Sequence, residues 1–107
     1  MVTADRTGHL MLADGLAPGD ILMARSQAKG IAAQLGGLTD VTLDFRGIAT
    51  VGPSFTDELF RVFQARHPEV TLRWVNAEPY VAGMIRKALE ALADQRGRDV
   101  APGDSER

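Results

Sequence analysis

Apolar and polar residues alternate from Val41 to Phe45, so an extended chain would carry Val41, Leu43 and Phe45 on one side and Thr42 and Asp44 on the other. Val70 to Val75 is a second strand of the same kind. Elsewhere the spacing changes to that of a helical face. Ala28, Ile31, Ala32 and Leu35 form one stripe, Phe55, Leu59, Val62 and Phe63 a second, and Val81, Ile85, Ala88, Leu89 and Leu92 a third. His9 to Ala13 reads as a short strand, closed by Asp14-Gly15. The order is therefore strand, helix, strand, helix, strand, helix. Alternation of this sort implies crossover connections and mostly parallel pairing, so the expected class is α/β with a small, mostly parallel sheet. Two strands alone make a marginal sheet, and the N-terminal segment has to supply at least one more.

The boundaries follow from local chemistry. Ser26 is a candidate N-cap for the first helix, with Asp20 as the rival start, and Gly36-Gly37 stops it. Ser54 is the candidate N-cap of the second helix, with Asp57 imitating a capping box, and His67-Pro68 ends it. Asn76 is placed to cap the third, with Pro79 in its first turn. Ile48 and Val51 are apolar residues in a connection, so that loop is expected to fold against the core. Residues 1–93 read as a single domain, and the polar stretch 94–107 as a disordered tail.

Composition narrows the function classes. The chain has 107 residues with 45% hydrophobic and 24% charged content, enough for one domain with a core of its own. Its net charge of -2, with the signs mixed along the chain, argues against nucleic acid as a partner. There is no cysteine, which removes disulfides, thiolate metal sites and cysteine nucleophiles. No apolar run has the length of a membrane span, and residues 1–6 lack the basic-then-apolar pattern of a signal peptide. A cytoplasmic location is the expectation.

Three groups carry candidate chemistry. Ser54, beside free N–H groups at a helix start, is either a plain cap or a site for phosphate. Asp57, Glu58 and Arg61 follow it on one helical face, either as a solvated surface or as a charged contact for a partner. Arg25, Ser26 and Lys29 crowd another helix start, where the two cations have the wrong sign for the dipole. They would answer to Asp57 or Glu58 across a helix pair, or to an anionic ligand. His9 and His67 have no partner visible in the sequence and read as surface residues. No phosphate-cradling glycine loop, catalytic triad or metal-ligand spacing is present, and no cofactor is expected.

Arg25-Ser26-Gln27-Ala28-Lys29, Val41-Thr42-Leu43-Asp44-Phe45-Arg46-Gly47, the run from Phe55 to Phe63, His67-Pro68, Asn76-Ala77 and Met84-Ile85 together resemble the STAS-like DUF4325 family. The resemblance spans most of residues 19–90. It implies a STAS-like α/β fold, a small mixed, mostly parallel sheet flanked by helices, related to the anti-sigma factor antagonists, which bind a kinase-like anti-sigma factor and are switched by phosphorylation of a serine in an Asp-Ser-Ser-Gly loop. Ser54 falls at the phosphorylatable position. Gly52 and Pro53 stand in place of the Asp and first Ser, and Phe55 in place of the Gly. The implied partner is a histidine-kinase-type ATPase domain. The implied contact residues are Arg25, Ser26, Lys29, Ser54, Asp57, Glu58 and Arg61. Two other classes stay open: a small nucleotide- or anion-binding protein or enzyme built on the Arg25/Lys29 and Asp57/Glu58 cluster, and a homodimer without a switch.

Overall fold

A computed structural model describes residues 6–16 and 21–99. Strand β1 (Thr7–Met11) pairs in parallel with β2 (Asp40–Asp44), which pairs in parallel with β3 (Thr71–Val75), giving the order β1-β2-β3. This is the small α/β sheet expected, and every pairing among the described residues is parallel. Right-handed crossovers between sequential neighbours put their helices on one face of the sheet. Helix α1 (Arg25–Ala33) follows β1. Helix α2 runs over 53–66 after β2, and helix α3 (Pro79–Asp99) follows β3. Helix α2 packs between the other two.

The register explains which side is buried. Leu10, Leu43 and Trp74 are paired neighbours facing the helices, as are Gly8, Val41 and Leu72. His9, Thr42 and Arg73 form a row on the opposite face. Strand β1 begins and ends two residues before the predicted segment. Its pairing is set at Arg6, whose carbonyl accepts the N–H groups of Thr39 and Asp40, and Leu12 then turns inward in a 3-10 turn (Leu12–Gly15).

The loop between β2 and α2 does fold against the core: Ile48 and Val51 are buried, and Val51 makes a parallel bridge to Leu22. The Gly52 N–H donates to the Leu22 carbonyl at 2.8 Å. A Cβ at Gly52 would stand 3.0 Å from the Cα, carbonyl oxygen and sulfur of Met23. Glycine lets the two segments close to this distance. Gly52→Ala is expected to destabilise the protein by about 1–3 kcal/mol, the usual cost of overpacking. Urea unfolding measures it, and an unchanged midpoint would show that the segments are not clamped together.

Helix α2 departs from regular α-winding. Pro53–Asp57 is α-helical, Glu58–Phe63 is wound as a π-helix, and Gln64–Arg66 is α-helical again. In the π segment backbone bonds reach five residues back instead of four, which shifts the inward stripe. Phe55, Leu59 and Phe60 are fully buried, while Val62 and Phe63 of the predicted stripe are half-buried.

The predicted caps are also corrected. Helix α2 starts at Pro53 after Gly52, so Ser54 is its second residue, and no side chain caps it. Helix α1 starts at Arg25, so Ser26 is its second residue; Asp20 lies outside the described residues. Asn76 stands three residues before Pro79, where α3 begins: it adopts a φ of 59° between β3 and α3, with its side-chain amide donating to Asp44. Helix α3 continues to Asp99, past residue 94 where a tail was expected. The Gln95 amide oxygen accepts a bond from Arg61, and Arg96 reaches the Gln64 carbonyl, so polar residues there extend the helix along α2. Residues 100–107 lie outside the described residues.

Candidate functional site

The side chain that sets the entry to α1 is Gln27. Its amide oxygen accepts the N–H groups of Met23 and Ala24, both at 2.8 Å, and its amide nitrogen donates to the Ile21 carbonyl at 2.8 Å. This strap fixes the segment 21–24 and turns Ile21 and Met23 outward, while Leu22 points into the core. The sequence offered one clue, a glutamine at the third helical position, where a capping box places it.

Arg25 then extends across to α2. Its guanidinium lies 2.8 Å from Asp57 and 3.2 Å from Glu58. Arg61 pairs with the same Asp57 through both carboxylate oxygens and donates to Gln95 on α3 at 2.7 Å. Four of the predicted site residues, Arg25, Asp57, Glu58 and Arg61, thus form one network that joins α1, α2 and α3. Glu58 is buried within it. The α-to-π junction falls between Asp57 and Glu58, and Arg25 engages both sides of it. The charge misfit noted at the α1 start is answered here: Arg25 serves the carboxylates of α2. Lys29 does not join them. It is exposed one turn further along α1, and Ser26 is exposed beside Arg25.

Arg61, and after it Arg25, hold the Asp57 carboxyl below its ordinary value of 3.8, against the opposing effect of burial. Asn76, then the Arg46 N–H, do the same for Asp44, which His9 also approaches at 3.3 Å. A carboxylate whose folded pKa is depressed adds stability above its unfolded value, and that stability is lost as the pH falls toward the folded value. The urea midpoint should therefore hold steady from pH 7 to about 5 and fall below about 4. In Asp57→Asn the fall should be shallower. An equally steep fall in that variant would remove Asp57 from the set of stabilising charges.

Ser54 is exposed and lines an open cleft of about 360 Å³ between α2 and α3. Arg25 and Asp57 stand at one side, and Met84, Lys87 and Ala88 of α3 at the other. Exposed apolar residues lie near parts of its lining. Met23 packs on Gly52 beside Pro53, and Tyr80 lies one turn before Met84 on α3. Tyr80 is 56% exposed, Ile21 51% and Met23 44%. These three were missed by the sequence analysis, because a helical stripe or a strand signals burial and gives no sign of apolar residues left outside. Among the described residues no histidine or carboxylate group converges as metal ligands. Among them, too, no helix is long and apolar enough to cross a membrane.

The strand–helix order and the single helical layer define a small α/β domain. Residues 31–82 match the family model of the STAS-like domain of unknown function, DUF4325. No curated protein and no solved structure matches the chain.

Proposed function

We propose that this STAS-like domain is a regulatory, protein-interaction module of the cytoplasm, and that its partner docks over the Ser54 cleft. The observation that carries the reading is a cleft that holds an exposed serine and a lysine and has exposed apolar side chains next to its lining in the chain or in contact, Met23 against Gly52 beside Pro53 and Tyr80 one turn before Met84. Exposed aromatic and methionine side chains favour protein contact over solvent. The partner that the family resemblance suggests is a histidine-kinase-type ATPase domain. Ser54 is open to such a partner and is the residue that it would phosphorylate. Its position inside the helix, with Arg25 and Lys87 lining the same cleft, suits an added negative charge.

A non-enzymatic role is supported by how the charged groups are used. Asp57 and Glu58 are engaged by Arg25 and Arg61, which leaves neither poised as a base toward the cleft. The same engagement makes these residues supports for the docking face. Arg25 joins the strapped segment 21–24 to α2, and Arg61 joins α2 to α3.

A photo-crosslinking amino acid in place of Tyr80 should capture an ATPase-domain protein in the source cells. The same residue in place of Arg73, on the opposite face of the sheet, should not. Capture from Arg73 and none from Tyr80 would move the docking face and end this reading.

A further inference from the structure

Lys29, left out of the ion-pair network, lines a second hollow of about 270 Å³ along the seam of α1 and α2, together with Ala32, Val62, Phe63, Arg66 and His67. It continues past Ala32, Phe63 and His67 into a hollow of about 430 Å³ over Leu35 and Val70. The floor of this groove is apolar. The Phe63 and His67 rings lie 4.7 Å apart and form one wall. Its charges are unbalanced at one end. The Glu58 carboxylate that reaches the groove is already paired with Arg25 at 3.2 Å, and Glu69 lines only the far end, beside Leu35 and Val70. Lys29 and Arg66 are exposed and make no ion pair among the described residues.

We infer that this groove is a second docking surface, separate from the Ser54 cleft, and that it takes an acidic amphipathic segment of a protein partner. The apolar floor would seat one or two hydrophobic side chains, and Lys29 and Arg66 would meet carboxylates on the same segment. Two cations on a chain of net charge -2 do not make the broad basic field that nucleic acid or an anionic membrane requires. A bare phosphate would leave the apolar floor uncovered. An acidic peptide satisfies both parts of the groove.

The test is a titration of the full chain, followed by amide NMR, with a synthetic helical peptide carrying leucine on one face and glutamate on the other. Saturable shifts centred on Lys29, Ala32, Phe63, Arg66 and His67 are expected. Replacing the peptide's glutamates by glutamine, or combining Lys29→Glu with Arg66→Glu in the protein, should weaken binding about tenfold. Both side chains are exposed and unpaired, so the double variant keeps its fold, which its amide spectrum checks directly. No saturable shifts, shifts centred on the Ser54 cleft, or equal binding of the glutamine peptide would overturn the inference. So would binding of phosphatidylglycerol vesicles to the same residues in preference to the peptide.

Discussion

Phe60→Ala should cost about 3–5 kcal/mol of folding stability, and Val62→Ala only about 1 kcal/mol. The contrast depends on the winding of α2. Regular α-helical spacing from Phe55 and Leu59 leads to Val62 and Phe63 and leaves Phe60 to one side. The π segment Glu58–Phe63 adds a residue to the turn and brings Phe60, at 1% exposure, under the sheet beside Phe45, with 6.4 Å between ring centroids. Removing that ring opens a cavity in the centre of the core, where the surroundings relax least. A small domain is stable by about 5–15 kcal/mol, so the variant should lose a large share of it. Urea unfolding of the two variants measures the difference directly. Equal losses, or a larger loss at Val62, would mean that α2 is regularly wound.

The second large effect concerns binding. Tyr80 and Met23 are large exposed apolar residues next to parts of the Ser54 cleft lining, and they belong to different elements. Met23 is held by the Gln27 strap and by contact with Gly52, and Tyr80 by the start of α3. Aromatic anchors at the centre of an interface commonly contribute 2 kcal/mol or more when truncated, which is roughly thirtyfold in affinity. Neither side chain is part of the core, so Met23→Ala and Tyr80→Ala should unfold at the wild-type urea concentration. Loss of binding with stability retained separates a docking role from a structural one.

Much of the framework was legible in the sequence because it rests on local patterns. The alternation in 41–45, the run 70–75 and the apolar loop residues Ile48 and Val51 each signalled their place in the core. The family match over 31–82 covers the same region. What could not be read was set by contacts between distant residues. The π-winding depends on a core that accepts Phe60 and on Arg25 spanning Asp57 and Glu58 from another helix. The left-handed conformation of Asn76 goes with its bond to Asp44, 32 positions away. Residues 94–99 look like a tail in isolation, and they are helical where Arg61 and Gln64 of α2 meet Gln95 and Arg96. The candidate site was half legible. The charges Arg25, Asp57, Glu58 and Arg61 were found and do converge, but they bond to one another, and the exposed apolar residues Ile21, Met23 and Tyr80 gave no periodic signal.

The docking face is tested most directly by titrating a purified histidine-kinase-type ATPase domain from the same genome, chosen by gene neighbourhood, into the wild-type protein and into Met23→Ala and Tyr80→Ala. Saturable binding to the wild type, weakened roughly thirtyfold in each variant, is the predicted result. Binding of undiminished affinity in both variants would contradict the placement of the partner over the Ser54 cleft.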